Sequence, residues 1–523
     1  MWCKNKRFHM AVVSTRSSGD NHNAVHYVPL ETYHPPTTYE TYGQEIEHAA
    51  FDSAHNLDLA DKALSVDVES VPFRSGYTSE AGEFVYPERY HEGIPFINSV
   101  ANVAWKDDKV VSFGSSFVTP KNSAKSTPSI TVEIIISTVE AALDGKYNEH
   151  PTSLEYLARD NGTVSLVHVT QVQNSEVNFW YEAYVYVDAH TGELISLTDF
   201  VAEAMDTVLL ITKRSIPEGI ETLTDPADLM VSPYGRHAPS TTNYTTTSGN
   251  NVVAYKASST NCDTTQAPST TINVNVARIN IFYVTTYNLQ TDNSGKGGAE
   301  GDRVLMSVQD SSGTNNVNFA TPPEYIWTYT TPNHDGSLQN DIPIHESTHG
   351  TNRMTGGGTG RCFQTTEAGG LGEGWSDAMS ELTIEGFVLG EYVVDDPAGL
   401  RTYPYPNSAA TNPWRYSSLK PLDEVHSIGE VWANILHQVY SALVTEYGFD
   451  ADARTNPAST GGNTVYPHLF LDALAIQPCS PTFVTIRAAW ILADQNWYGA
   501  FASCDLGINA ASYTDDTTVP SGC

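Results

Sequence analysis

Two histidines one helical turn apart could bind a metal ion together. His345 and His349 enclose Glu346 in the pentad H-E-S-T-H. On an α-helix, residues i and i+4 lie on the same face, so both imidazoles could point at one Zn²⁺ ion. Glu346 follows the first histidine directly, and its carboxylate could accept a proton from a water molecule at the metal. The pentad therefore predicts a zinc site with an adjacent general base.

A catalytic zinc usually has three protein ligands and keeps its fourth position for water. Glu373, in the stretch G-E-G-W-S-D, is the predicted third ligand. Asp377 lies four residues later, on the same face if this stretch is helical, where it could accept a hydrogen bond from a ligating histidine. Simpler interpretations remain open. The pentad could be two surface histidines beside a solvated glutamate, and Asp377 could be a solvated carboxylate.

Composition excludes several classes of partner. The chain has 523 residues, with 27 Lys and Arg against 61 Asp and Glu, which gives a formal net charge of −34. This acidity argues against nucleic acid and anionic membrane surfaces as partners. No apolar run approaches the roughly 18 residues of a membrane span. The six cysteines form no C-x-x-C pair, so structural disulfides are their predicted use.

Apolar periodicity predicts the elements that must position the site. Pro343 is tolerated only in a first helical turn, so the helix with the pentad should begin close to Asp341. A second amphipathic helix is predicted over residues 425–446, with His426 at its start and His437 as a structural residue within it. Earlier patterns predict a hairpin over 91–118, a helix over 129–143, strands at 164–173, 178–187 and 193–197, and a turn at His190.

A change in composition near residue 200 predicts a linker there. A small α+β unit precedes it, and short strands are predicted after it at 207–212, 251–255, 271–276 and 303–308. Helical patterns dominate from residue 341 onward, so the pentad lies where a β-rich part meets an α-rich part. The predicted organisation is a disordered leader (1–26), an α+β unit (27–203), a β-rich lobe (204–340) and a helical lobe (341–523).

Several stretches resemble the fungalysins, secreted fungal zinc metalloproteases, and more distantly the thermolysin group. The resemblance covers about residues 27–523, and the R-C-F-Q-T-T-E-A-G-G stretch resembles basidiomycete members. The early stretches are HYVPLETYHPP, GIPFINSVANVAWKDDKVVSFGSSFV, YEAYVYVDAHTGELI and LTDPADLMVSPYGRH. The most specific ones are GDRVLMSVQDSSGTNNVNFATPP, HESTHGTNRMTGG and EAGGLGEGWSDA.

The resemblance implies an α+β multidomain protein in which an α+β propeptide precedes a thermolysin-like catalytic domain of two lobes. Residues 27–203 would be a chaperone and an intramolecular inhibitor, removed at about residues 203–206. The implied product is a secreted, monomeric zinc endopeptidase, made as a zymogen and acting on proteins and peptides, with one Zn²⁺ per catalytic domain. The first residues lack the apolar core of a signal peptide, so we expect that segment to be missing from the sequence.

The resemblance also implies roles for individual residues. His345, His349 and Glu373 would bind zinc, and Glu346 would be the general base. His426, in E-V-H-S-I-G, would stabilise the oxyanion, with a capping or core histidine as the alternative. Two further residues would contact substrate: Asn316 would bind its backbone, and Arg401 would hold a carbonyl on the S1′ side. Without the resemblance these two would be read as a loop residue and a structural arginine.

Departures from the family pattern keep other functions open. The chain is shorter than its relatives after Tyr283, between Pro323 and Ile326, and over 497–505, and it has no tyrosine between His349 and Glu373. A zinc-binding relative with impaired catalysis is one alternative. A structural zinc site is another, although the nearby extra ligand, Cys362, is a predicted disulfide or core residue. Weak support for secretion comes from two N-x-T glycosylation patterns, at Asn161 and Asn243.

Overall fold

A computed structural model describes most of the N-terminal part of the chain, scattered strands in its middle, and most of the C-terminal helices. The described residues are 10–14, 25–29, 33–41, 71–79, 82–106, 109–143, 145–147, 150–173, 182–199, 202–203, 252–256, 304–314, 317–319, 324–330, 333–336, 339, 341–355, 362–363, 365–384, 388–406, 408–451, 453, 456, 458–497 and 512–515.

The predicted disordered leader contains one strand. β1 (Met10–Ser14) pairs antiparallel with β2 (Val25–Pro29), so the prediction over residues 1–26 is wrong for this segment. Pairing between the two strands satisfies backbone N–H and C=O groups of both. The rest of the predicted leader, apart from residues 25–26 of β2, lies outside the described residues.

A sheet described with 11 strands dominates the N-terminal part. Its central path is β13-β12-β11-β10-β6-β5-β4, and neighbours along it are antiparallel except for the parallel contact between β10 and β6. The strands are β3 (Thr38–Thr41), β4 (Phe73–Ser79), β5 (Gly82–His91), β6 (Ile94–Lys106), β7 (Lys109–Ser115), β8 (Asn122–Ser123), β9 (Lys146–Tyr147), β10 (Ser153–Ala158), β11 (Thr163–Gln173), β12 (Glu182–Asp188) and β13 (Leu194–Asp199).

One helix packs on this sheet, which confirms the predicted α+β unit. α1 (Val132–Leu143) buries Ile135 and Val139 in a cluster with apolar side chains of β11 and β12. The predicted hairpin is also present, because β6 and β7 pair antiparallel up to the contact of Lys106 with Lys109. His190 lies in the predicted turn, where its backbone N–H donates to Asp188 Oδ1 at 2.9 Å.

The middle of the chain contributes a second sheet with the strand order β14-β17-β18-β16-β15 and with β19 beside β18. Two of the predicted short strands are present in it; those at 207–212 and 271–276 lie outside the described residues. Its strands are β14 (Ala202–Glu203), β15 (Val252–Lys256), β16 (Val304–Thr314), β17 (Val317–Phe319), β18 (Glu324–Thr330) and β19 (Asn333–Asp335).

Helices make up the C-terminal part. The first begins at Asp341 and the longest spans the predicted 425–446 pattern, so both predictions are confirmed. The helices are α2 (Asp341–Thr355), α3 (Thr366–Ile384), α4 (Glu391–Val394), α5 (Val425–Tyr447), α6 (Gly462–Ile476) and α7 (Phe483–Trp497), with a 3₁₀ turn at Tyr416–Leu419. None of the helices in the described part of the chain is long and apolar enough to cross a membrane.

An aromatic cluster fixes α3 in this helical part. The buried ring of Trp375 lies 5.5 Å from that of Trp432, 4.5 Å from Phe470 and 5.9 Å from Trp490, measured between centroids. Its Nε1–H donates to Gln477 Oε1 at 3.2 Å, so the indole is satisfied as well as buried. Since Trp375 lies between Glu373 and Asp377, the cluster holds the stretch that carries both carboxylates.

Two glycines allow α3 and α5 to approach closely. A Cβ on Gly374 would lie 2.5 Å from the carbonyl oxygen of Gly429. A Cβ on Gly429 would in turn lie 2.6 Å from the Cβ of Glu373. Both distances are too short for any other residue, and the approach brings Glu373 next to the first turn of α5, which carries His426.

A disulfide between Cys362 and Cys479 joins the segment before α3 to the segment after α6. It confirms the prediction that Cys362 is not a metal ligand. Val100 of β6 packs against the bridge, so the N-terminal sheet contacts the helical part there. The other four cysteines lie outside the described residues.

Candidate metal centre

The pentad places two imidazoles on the inner face of α2. His345 and His349 are both buried, and their Nε2 atoms lie 3.0 Å apart. Their rings meet nearly edge to face, with centroids 4.7 Å apart and planes at 81°. The helical spacing thus produces the convergence that the sequence predicts.

Glu373 reaches the same point from α3. Its Oε2 lies 3.2 Å from Nε2 of His345, and its Oε1 lies 3.5 Å from Nε2 of His349. Burial raises the pKa of this carboxyl, but the three surrounding histidines outweigh burial and hold the pKa well below its usual range. The site therefore combines two imidazole nitrogens with an ionised carboxylate.

These three side chains fit a zinc ion. Four ligands at the usual zinc distances of about 2.0–2.1 Å would lie about 3.3 Å from one another in a tetrahedron. The three separations observed are 3.0, 3.2 and 3.5 Å. Burial lowers the pKa of His345, but hydrogen bonds with Asp377 and Glu373 outweigh burial and raise it to about 10. The site thus favours positive charge at its centre.

Glu346 lies beside this centre and is fully buried, with 0% of its surface exposed. One of its carboxylate oxygens and one nitrogen of each pentad histidine all lie within 4.8 Å of one another. The Glu346 carboxylate is therefore close to the point where the two histidines converge.

Asp377 orients the first histidine. Its Oδ1 lies 2.8 Å from Nδ1 of His345, and this contact directs Nε2 of the ring toward His349 and Glu373. Arg401 donates to the same carboxylate through Nε at 2.8 Å and Nη2 at 2.9 Å. Burial raises the pKa of Asp377, but Arg401 and His345 outweigh burial and hold it well below its usual range.

His426 converges on the same centre from the start of α5. Its Nε2 lies 3.4 Å from Oε2 of Glu373, and its Nδ1 lies 2.7 Å from Oε1 of Glu424. Glu424 also caps α5 by accepting from the backbone N–H groups of His426 and Ser427. Burial raises the pKa of Glu424, but its bonds with His426 outweigh burial and lower it to about 2.

Sequence reasoning missed Glu424, although a carboxylate just before a predicted helix is a recognisable capping signal. It also missed Glu430, which lies on α5 one turn after His426. Glu430 accepts from the backbone N–H and hydroxyl of Thr402 and from Nε1–H of Trp414. No local pattern marks this residue, because its partners come from a segment without regular structure.

The other three residues singled out in the sequence have different outcomes. Arg401 is buried against Asp377 and lies 3.8 Å from Oε2 of Glu373. Asn316 lies outside the described residues, so its predicted substrate contact stays a prediction. His437 is buried on α5, and burial lowers its pKa to about 4.

Asp341 anchors the start of α2. It is fully buried, its Oδ1 accepts from the N–H of Ile342 at 3.1 Å, and its Oδ2 accepts from the N–H of Gly390 at 2.6 Å. Ser380 of α3 donates to its backbone carbonyl at 3.0 Å. Burial raises the pKa of its carboxyl to about 6 despite these hydrogen bonds.

We expect Asp341→Asn to change how stability depends on pH. The folded pKa of about 6 exceeds the unfolded value of about 3.9, so the contribution of Asp341 is fully present below about pH 4 and is lost as pH rises through 6. Relative to Asp341→Asn, the wild type should therefore lose about 2–3 kcal/mol between pH 4 and pH 7. Urea unfolding of both proteins at the two pH values measures this. A difference that stays constant would contradict the prediction.

Comparisons with known proteins find metallopeptidases as relatives of the chain. The sequence model of the fungalysin metallopeptidases (M36) matches residues 207–285 and 281–512. The chain is 35% identical to the extracellular metalloproteinase MEP of Pyricularia oryzae, over 79% of this chain and 78% of that protein. It is 32% identical to the extracellular metalloproteinase mep of Aspergillus fumigatus, over 82% of this chain and 83% of that protein.

Among solved structures, a precursor of protealysin, a metalloproteinase from Serratia proteamaculans, aligns with 49% of this chain and 85% of its own. The TM-score is 0.33 and the identity 15%, a likeness too low to support conclusions about fold or function. Membership therefore rests on the sequence match, which spans more than half of the chain and includes the pentad and Glu373. The chain belongs to the fungalysin metallopeptidases (M36) and is a metalloendopeptidase.

Proposed function

We propose that the chain is a secreted zinc endopeptidase that is made as an inactive zymogen. His345, His349 and Glu373 hold one Zn²⁺ in this proposal, and Glu346 is the general base. The main support is the convergence of the three ligand side chains at separations of 3.0–3.5 Å, with the Glu346 carboxylate beside them. This donor set leaves a fourth position, as catalytic zinc sites do.

When bound, the metal would polarise the scissile carbonyl and acidify a water molecule. Glu346 then accepts a proton from the attacking water and delivers it to the nitrogen of the leaving amine. Its burial keeps bulk water away from this transfer. His426 donates a hydrogen bond from Nε2 to the oxyanion, while Glu424 accepts from Nδ1–H and keeps the ring in that orientation.

Substrate binding involves two further residues in this proposal. Arg401 holds a substrate carbonyl on the S1′ side, and its attachment to Asp377 fixes the guanidinium close to the metal ligands. Asn316 binds the substrate backbone. Both assignments come from the resemblance to the fungalysins, and the position of Arg401 is compatible with its assignment.

The N-terminal part acts as a propeptide in this proposal. Residues 27–203 fold as the α+β unit, residues 204–340 and 341–523 form the two lobes of a thermolysin-like domain, and the propeptide inhibits that domain until it is removed. Three hydrogen bonds support a docked propeptide: Tyr86 Oη donates to the carbonyl of Ala475, Asn102 Nδ2 to that of Ile476, and Thr37 Oγ1 to that of Cys479.

Secretion is part of the same proposal. The relatives from Pyricularia oryzae and Aspergillus fumigatus are named extracellular metalloproteinases. A disulfide in the helical part fits an oxidising compartment. Proteins and peptides are the proposed substrates, and the processed enzyme is proposed to act as a monomer.

Metal removal tests the proposal. The full chain is expressed, the propeptide is removed, and casein hydrolysis is measured before and after dialysis against a zinc chelator. We expect activity to disappear with the chelator and to return when Zn²⁺ is added back. Activity that resists the chelator would contradict the proposal, and so would a folded, zinc-loaded protein without activity, which would favour a catalytically impaired relative.

A further inference from the structure

The carboxylate of Asp377 has a third partner that the mechanism above does not use. Tyr405 is fully buried, with 0% of its surface exposed, and its hydroxyl donates to Asp377 Oδ2 at 2.6 Å. It lies four residues after Arg401 on the segment between α4 and α5. The two hydrogen-bond donors to Asp377, Arg401 and Tyr405, thus come from one short stretch, and its other partner, His345, comes from α2.

These contacts fill the carboxylate. An ionised carboxylate offers about four lone-pair directions. Within the described residues, Oδ1 accepts from Arg401 Nη2 and lies 2.8 Å from His345 Nδ1, and Oδ2 accepts from Arg401 Nε and the hydroxyl of Tyr405. Contacts to both oxygens therefore fix the orientation of the carboxylate. Arg401 alone would restrict this orientation less than Arg401 and Tyr405 do together.

The stretch that supplies Tyr405 is itself held in place. Thr402 donates its backbone N–H at 2.9 Å and its hydroxyl at 3.0 Å to Oε1 of Glu430. Glu430 and His426 lie on α5, one turn apart. The segment that carries Tyr405 is therefore hydrogen-bonded to α5, the helix that also carries His426, the candidate oxyanion donor.

We propose that Tyr405 is a positioning residue for the metal: it fixes the carboxylate of Asp377, and through it the ring of His345, in the orientation that binds zinc. The inference rests on the proposed zinc function. The tyrosine touches neither the substrate nor the reacting atoms in this proposal. Its effect reaches the metal through one intermediate carboxylate, so it should appear first in zinc affinity.

Tyr405→Phe tests this inference in the full chain. It removes the hydroxyl and keeps the ring, and Tyr403→Phe is the matched control from the same segment, where the Tyr403 ring packs against Trp414 at 5.6 Å between centroids. We expect Tyr405→Phe to weaken zinc binding about tenfold, the low end for groups that support a metal ligand. Tyr403→Phe should bind zinc like the wild type. Competition with a chromophoric chelator measures the affinities, and thermal unfolding of the metal-free proteins measures stability.

A second background separates positioning from packing. In Asp377→Asn the acceptor is neutral, so adding Tyr405→Phe should weaken zinc binding by less than about threefold. An equal loss in both backgrounds would overturn the inference, as would a Tyr405→Phe protein that binds zinc normally. If Tyr405→Phe fails to fold while Tyr403→Phe folds, Tyr405 is needed for folding, and the inference that it positions the metal site is overturned. A wild type that does not bind zinc would count against the proposed function itself.

Discussion

Glu346→Gln is expected to lower kcat/KM for peptide hydrolysis by about 10³- to 10⁴-fold while the protein keeps its zinc. Glutamine has nearly the shape of glutamate but cannot accept the proton of the attacking water. Because Glu346 is not among the proposed ligands, the metal content should stay at one zinc per chain. The measurements are hydrolysis of a quenched fluorescent peptide and atomic absorption on the same preparation.

Glu367→Gln is a suitable control, because it makes the same chemical change on α3 away from the centre. Oε1 of Glu367 accepts from the N–H of Phe483 at 2.9 Å, and a glutamine oxygen can accept the same bond. Activity within about twofold of the wild type is expected, as for substitutions that keep their contacts. Both variants are processed with an added protease, so that lost self-processing is not mistaken for lost chemistry. An active Glu346→Gln enzyme would exclude Glu346 as the base.

The sequence predicted what depends on local geometry. The convergence of His345 and His349 follows from helical spacing, and the start of their helix follows from Pro343. The same i, i+4 spacing places Asp377 on the helix face that carries Glu373. Each of these features involves residues of a single helix, so it can be predicted from the spacing of residues in the sequence.

Relations between elements were harder to predict. Glu373 meets the pentad histidines and His426 because Gly374 and Gly429 allow α3 and α5 to pack closely. The sequence alone does not distinguish a glycine at such a helix contact from a glycine in a loop. Glu430 and the hydroxyl of Tyr405 contact residues of other segments, whose path depends on tertiary packing. The placement of Arg401 on Asp377 is of the same kind. Glu424 is different, because it contacts its own neighbours His426 and Ser427 at the helix start.

His426→Phe should separate the three roles that the site allows for this histidine. If His426 stabilises the oxyanion, kcat should fall about 10²- to 10³-fold with little change in KM, because the lost bond forms mainly in the transition state. If it were instead a fourth zinc ligand, as in a structural site, zinc affinity would fall too. If it only completes the start of α5, the loss would be in thermal stability alone.

Glu424→Gln sharpens this test, because it changes the partner of His426 without removing the imidazole. A glutamine oxygen can still accept from Nδ1–H, so the ring should keep its direction while this hydrogen bond loses the negative charge of its acceptor. We therefore expect a smaller fall in kcat, about tenfold or less, of the size found for neutral replacements of a charged hydrogen-bond partner. Steady-state kinetics and zinc affinity of both variants are the measurements. A larger fall in kcat for His426→Phe than for Glu424→Gln, with unchanged zinc affinity in both, is compatible with oxyanion stabilisation and with neither alternative.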